Sequence, residues 1–64
     1  MIGVYTICNT GSLLIHEIDY AEDMVLVSLN GGRKEWCNIT YTEDGLGFMW
    51  GEMFIPFSEV MRVK

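Results

Sequence analysis

Residues 24–42 read MVLVSLNGGRKEWCNITYT and contain two alternating segments separated by a glycine pair. Val25, Val27 and Leu29 alternate with residues that would face the other side, which is the two-residue period of a β-strand. The glycine pair in Asn30-Gly31-Gly32 favours a tight hairpin turn. A second alternating segment, rich in β-branched and aromatic residues, follows this turn. The stretch therefore predicts two antiparallel strands.

The same period continues on both sides of this hairpin. Turn-forming residues at positions 9–11, 43–45 and 51–52 separate the further segments. No segment places apolar residues at helical spacing over three turns, so the only helical element predicted is a 3₁₀ turn after Pro56. The predicted strands cover residues 2–8, 12–18, 24–29, 34–42, 46–50, 53–55 and 60–63.

The chain has 64 residues, which is enough for one domain spanning residues 1–64. Short strands in so short a chain fit a partly open barrel better than a two-sheet sandwich, because closure hides the strand edges. We therefore expect an all-β fold, a small barrel of five or six strands. Its expected core is Val4, Ile15, Val25, Val27, Leu29, Ile39, Phe48, Ile55, Val60 and Val63.

The segment GEMFIPFSEV at positions 51–60 resembles the closing part of SH3 domains. In that family a glycine-containing turn leads to a strand ending in Ile-Pro, then to a 3₁₀ turn and a final short strand. Residues 18–23 are similar to the acidic first long loop of the family, residues 30–32 to the next loop, and residues 34–36 to the strand that opens with tryptophan. The resemblance covers nearly the whole chain and implies an SH3-like barrel of the kind common in small bacterial and phage proteins.

Tyr20, Trp36 and Pro56 match three positions of the groove in which SH3 domains bind proline-rich peptides. The tyrosine that the family has in its 3₁₀ turn is replaced here by Glu59 or a neighbour. Cys37 stands where the second tryptophan of the family would be. The resemblance therefore implies the barrel without the typical proline-peptide groove.

Nine acidic residues against four basic ones give a net charge of −5. This charge repels phosphate backbones and anionic membrane surfaces, so direct binding to nucleic acid or membranes is not expected. Cys8 and Cys37 are too few for a disulfide-rich secreted scaffold, although one bridge between them stays open. The N-terminus lacks a basic signal-peptide region, and no apolar run approaches the ~20 residues of a membrane span. We therefore expect a cytoplasmic protein.

The sequence offers little for catalysis. On a strand, the side chains of His16 and Glu17 point to opposite faces, and a cysteine nucleophile would need His16 as its base. One histidine and two distant cysteines lack the spacing of a zinc site, and the acidic loop lacks the glycine of an EF-hand. A barrel of this size also leaves little volume for a concave pocket. We expect no enzyme, no metal and no cofactor.

Five methionines and eight aromatic residues exceed what a small core needs. The first hypothesis is therefore a non-enzymatic protein interaction module, encoded by a phage or mobile element. A homodimer interface is another interpretation of the same apolar surface, and large side chains that plug both ends of the barrel are a third. The residues expected to contact the partner are Tyr20, Trp36, Met53, Phe54 and Phe57.

The second hypothesis is an acidic inhibitor that imitates nucleic acid and occupies the basic groove of a host nucleic-acid enzyme. In size and charge the chain resembles anti-CRISPR and antirestriction proteins. Affinity that falls steeply with salt would favour this hypothesis over an apolar contact. The expected acidic patch is Glu17, Asp19, Glu22, Asp23, Glu43 and Asp44, with Glu52 as a further candidate.

Overall fold

The computed structural model describes residues 1–7 and 11–62 of the chain. Its regular structure is all β apart from one 3₁₀ turn (Phe57–Glu59), which follows Pro56 as predicted. No helix in these residues is long and apolar enough to cross a membrane. The strands are β1 (Gly3–Ile7), β2 (Gly11–Asp19), β3 (Met24–Leu29), β4 (Lys34–Thr42), β5 (Gly45–Trp50), β6 (Met53–Pro56) and β7 (Met61–Arg62).

The strands form one antiparallel sheet in the order β6-β5-β4-β3-β2-β1-β7. Strands β1 to β6 follow one another as a meander, and β7 returns to pair with β1, where Gly3 lies opposite Arg62. The described residues contain seven strands, one for each predicted segment, where a barrel of five or six strands is expected. The sheet curls into a half-barrel, with principal extents of 26 × 24 × 22 Å.

The core lies on the concave side of this sheet. Its members alternate along their strands with residues that face outward, as the two-residue period requires. The ring of Phe57, in the 3₁₀ turn, lies over this core with its centroid 5.8 Å from that of Phe48. The fully buried apolar side chains are Leu13, Ile15, Val25, Val27, Phe48 and Ile55.

Two residues of the expected core lie elsewhere. Leu29 is 40% exposed, because it ends β3 beyond the last β3–β4 pair. Val4 is half-buried on the other face, since β1 turns Tyr5 and Ile7 towards the core. Leu13, absent from the expected core, is fully buried opposite Leu29. Val63 and the end of its predicted strand fall outside the described residues, as does Cys8.

A β-bulge interrupts β2. Ile15 pairs with Val27, but the next pair joins Glu17 to Leu26, so His16 is an extra residue in its strand. A bulge bends its strand and changes which residues share a face. Ile15 and Ile18 consequently both pack on the concave side although they are three positions apart.

An antiparallel meander places successive turns at alternate ends of the sheet. One end carries the turns at residues 20–23 and 43–44, together with the 3₁₀ turn after β6. We call it the cleft end. The opposite end carries residues 30–33 and 51–52. The amide of Ile39 donates a 2.8 Å hydrogen bond to the carbonyl of Asp23, which ties the turn at residues 20–23 to β4.

Candidate functional site

An open apolar cleft of about 750 Å³ lies at the cleft end, on the concave side of the sheet. This volume is within the ~300–1,000 Å³ range of ligand sites in proteins. Tyr20, Phe57, Gly3 and Arg62 contribute to its lining. The remaining lining residues are all aliphatic: Ile2, Ile15, Ile18, Leu46 and Val60.

The cleft corrects the expectation that the chain has little room for a concave pocket. The sheet curls without closing, so β1 and β7 form one wall and the 3₁₀ turn and the start of β5 form another. The first wall requires a glycine at position 3. A Cβ atom there would lie 2.7 Å from Cγ1 of Val60 and 3.2 Å from the carbonyl oxygen of Met61.

Tyr20 stands at the rim of the cleft and is 65% exposed. Its turn is held by the carboxylate of Asp19, which accepts hydrogen bonds from the backbone amides of Ala21 (3.0 Å) and Glu22 (3.1 Å). This arrangement is an Asx turn, in which an aspartate side chain satisfies nearby amide groups. Asp19 therefore positions the rim that carries Tyr20.

Of the five residues expected to contact a partner, the structure brings together Tyr20 and Phe57, which both line the cleft. Trp36 is 47% exposed and lies at a separate depression of about 490 Å³, which Met49 and Trp50 also line. The other two expected residues line neither concavity: Met53 is 40% exposed, and Phe54 is half-buried.

Phe54 covers the backbone of the neighbouring strand. A Cβ atom at Gly47 would lie 2.7–2.8 Å from atoms of the Phe54 ring and would also meet the carbonyl oxygen of Ile55. The ring therefore packs on a glycine that leaves it room. This contact gives Phe54 a structural role in joining β6 to β5.

Most acidic residues are close in sequence to residues that line the cleft. Seven of the nine acids in the chain stand within three positions of a lining residue, and the exceptions are Glu35 and Glu52. The turns that flank the cleft carry five exposed carboxylates. These are Glu22 and Asp23 after Tyr20, Glu43 and Asp44 before Leu46, and Glu59 between Phe57 and Val60.

Not every member of the expected acidic patch has the same surroundings. Asp19 is half-buried and engaged with its own turn, whereas Glu17 is exposed opposite Leu26, away from the core. Glu52 lies in the turn at the opposite end of the sheet. The acidic surface beside the cleft is therefore formed by two strand-connecting turns and the 3₁₀ turn.

His16 contacts Ser28, a partner that spacing along the sequence does not suggest. Its ring nitrogen Nε2 lies 2.7 Å from the hydroxyl oxygen of Ser28, which is fully buried. Partial burial, together with Lys34 and the amino terminus, lowers the pKa of His16. Because solvent does not reach Ser28, a substrate could not reach its hydroxyl oxygen either. We therefore interpret the contact between His16 and Ser28 as a structural hydrogen bond.

Cys37 carries a free thiol and packs against the core from β4. Burial raises the pKa of this thiol, and Glu35 contributes to the same shift. A raised pKa makes a thiol a poor nucleophile at neutral pH, since the thiolate is the reactive form.

No group of three or more His, Cys, Asp or Glu residues could hold a metal ion within residues 1–7 and 11–62. Comparisons of the chain with protein-family models, with curated proteins and with solved structures give no match.

Sequence reasoning missed Ile2, Leu46 and Arg62 as cleft residues. Leu46 carried a usable signal, since the alternation of β5 places it on the same face as Phe48. Ile2 and Arg62 carried none, because their place in the cleft depends on the pairing of the first strand with the last.

Proposed function

We propose that this chain is a protein interaction module that binds a segment of a partner protein in its apolar cleft. The observation that carries the proposal is an open cleft lined by aliphatic and aromatic residues, with the largely exposed ring of Tyr20 at its rim. Exposed tyrosine beside an apolar depression is typical of residues that dominate the energy of protein interfaces. Burial of such a surface by a partner removes apolar area from water.

The proposal includes an SH3-like barrel of the bacterial or phage type. Its support is the order of the later elements: a glycine turn, a strand with Trp36, and the Ile-Pro sequence followed by a 3₁₀ turn and a last strand. The segment that resembles the acidic first long loop is instead the end of β2 and a four-residue turn. A protein-binding role then rests on the cleft, since a fold of this kind does not define a function. The proposal keeps the cytoplasmic location expected from the sequence.

The experiment compares two exposed tyrosines. Tyr20 lines the cleft, whereas Tyr41, which is 80% exposed on β4, does not. Tagged wild-type protein and the Tyr20→Ala and Tyr41→Ala variants are used to capture proteins from a lysate of the organism that encodes the chain. We expect one captured protein to be lost with Tyr20→Ala and kept with Tyr41→Ala. Equal capture by both variants would contradict a role for the cleft.

A second copy of the chain is the competing occupant of the same cleft. Sedimentation equilibrium separates this case, because self-association depends on protein concentration. If the wild-type protein dimerises and Tyr20→Ala makes it monomeric, the cleft is a homodimer interface. The proposal that a segment of a different protein occupies it would then be wrong.

The acidic turns favour a second candidate function, which is imitation of nucleic acid. Five exposed carboxylates lie in turns at one end of the sheet, where they would face a basic groove together. Binding of this kind would depend on charge and not on the Tyr20 ring. The test is a competition experiment. If the chain is a mimic, added duplex DNA or RNA should displace it from its target enzyme, and the Tyr20→Ala variant should bind that enzyme as well as the wild-type protein does.

A further inference from the structure

The cleft and the acidic turns form one composite surface. The floor is aliphatic and includes Ile15 and Ile18, and no acidic side chain contributes to the lining. Each flanking turn continues directly from a lining residue into exposed carboxylates, as at Tyr20 with Glu22 and Asp23. A ligand that fills the apolar floor would therefore have exposed carboxylates as its nearest charged neighbours in the turns at this end.

The basic residues are distributed differently. Arg33 and Lys34 lie at the opposite end of the sheet, at the connection between β3 and β4. Arg62 is the one cationic side chain that lines the cleft, on the β7 wall. The amino group of Met1, which precedes the lining residue Ile2, adds a second positive charge, and the five exposed carboxylates of the turns still leave the cleft end with an excess of negative charge among the described residues.

We infer that the cleft binds a polypeptide segment whose apolar side chains are flanked by lysine or arginine; this rests on the protein-binding function proposed above. The apolar side chains occupy the floor, and the flanking cations lie beside the carboxylates of the turns at residues 20–23 and 43–44. Charge complementarity of this kind raises the association rate and excludes acidic partners. An acidic segment with the same apolar centre would be repelled.

Arg62, on the β7 wall of the cleft, allows a test of whether the ligand is positively or negatively charged. It should oppose a cationic ligand, so Arg62→Gln is expected to tighten binding about twofold to fivefold. Replacement of the turn acids in Glu22→Gln/Asp23→Asn/Glu43→Gln/Asp44→Asn should weaken binding by about tenfold or more. An anionic ligand would reverse both directions.

The probes are short synthetic peptides labelled with fluorescein and measured by anisotropy. One has a leucine–phenylalanine centre flanked by lysines, the second has the same centre flanked by glutamates, and the third has a serine centre flanked by lysines. We expect the first to bind at least about tenfold more tightly than the others, and to weaken as NaCl rises from about 50 mM to about 500 mM. Tyr20→Ala should weaken it and Tyr41→Ala should not.

The charge control is Glu35→Gln/Glu52→Gln, which removes the two acids distant from the cleft and should change affinity by less than about twofold. Tight binding of the glutamate-flanked peptide, equal binding of the serine-centred peptide, or no binding of any peptide below about 1 mM would overturn the inference. A captured partner that needs Tyr20 but is unaffected by the four turn substitutions would also overturn it, while leaving the proposed function standing.

Discussion

The ring nitrogen Nε2 of His16 lies 2.7 Å from the hydroxyl oxygen of Ser28, and these two residues come from neighbouring strands. Ser28 is fully buried although its neighbour Val27 points into the core from the opposite face of β3. The bulge in β2 creates this contact, because His16 is the residue without a directly paired partner between Ile15 and Glu17. The bulge in β2 thus gives the buried hydroxyl group of Ser28 a hydrogen-bond partner.

The first prediction concerns pH. Partial burial, with Lys34 and the amino terminus, lowers the pKa of His16 in the folded chain below its ordinary value of 6.5. The unfolded chain therefore binds more protons, and the free energy of unfolding falls as pH drops below about 6.5. Urea titrations at pH 7.5 and 5.5 measure this loss. The His16→Gln variant should lose less stability over the same interval, and an equal loss would exclude His16 as its source.

The second prediction concerns the turn that carries Tyr20. Asp19→Ala removes the acceptor of two backbone amides and should cost about 1 kcal/mol of unfolding free energy. Asp19→Asn keeps an acceptor oxygen and should cost less. Hydrogen exchange gives the local readout: the amides of Ala21 and Glu22 should exchange faster in Asp19→Ala. Unchanged exchange at both amides would show that the Asx turn is not formed in solution.

The third prediction concerns the contact between β5 and β6. Gly47→Ala would place a Cβ atom against the Phe54 ring and the Ile55 carbonyl, so we expect a loss of about 2–3 kcal/mol. Gly32→Ala is the matched control, because its Cβ atom would lie 3.2 Å from a single carbonyl oxygen of an exposed turn. The control should lose less than about 1 kcal/mol. Equal losses in urea titrations would contradict the close approach at Gly47.

The fourth prediction uses the two phenylalanines whose ring centroids are 5.8 Å apart. Phe48 is fully buried, so Phe48→Ala should cost about 3–5 kcal/mol. This equals the stability of about 3–5 kcal/mol expected of so small a domain, and the variant should be unfolded at 25 °C by circular dichroism. Phe57 is half-buried, and Phe57→Ala should cost about 1–2 kcal/mol and keep the β spectrum. A folded Phe48→Ala variant would contradict this core.

The fifth prediction concerns thiol chemistry. Burial and Glu35 raise the pKa of Cys37, so iodoacetamide should alkylate it more slowly at pH 8 than it alkylates free cysteine. A Cys8→Ser background isolates the reaction at Cys37. Glu35→Gln removes the repulsive charge and should increase the rate. Alkylation of Cys37 as fast as that of free cysteine would contradict its packing against the core.

The strands were predictable because their signals are local. The alternation around Val25 and Val27 and the glycines at positions 31–32 define a hairpin without knowledge of any distant residue, and Pro56 marks the 3₁₀ turn in the same way. Leu29 was misplaced because its exposure depends on where the pairing with β4 stops. The alternation of a strand cannot show where its neighbour ends.

The candidate site was less predictable because it depends on the register of β2 with β3 and on the pairing of the last strand with the first. The bulge at His16 turns Ile18 towards the cleft, and no local pattern marks it. Arg62 reaches the cleft only because β7 pairs with β1. Tyr20 and Phe57 could be selected as aromatic residues outside the expected core, but only the curl of the sheet brings them to one concavity.

The pairing of β7 with β1 has a consequence for the order of assembly. Each strand from β2 to β6 lies beside its predecessor in sequence, so the meander can form through short loop closures. The pair of Gly3 with Arg62 instead spans almost the whole described chain. Val60 and Arg62 enter the cleft with that last segment, so the cleft is complete only after β7 has paired with β1, and a nascent chain that lacks this segment can form the meander but not both walls of the cleft.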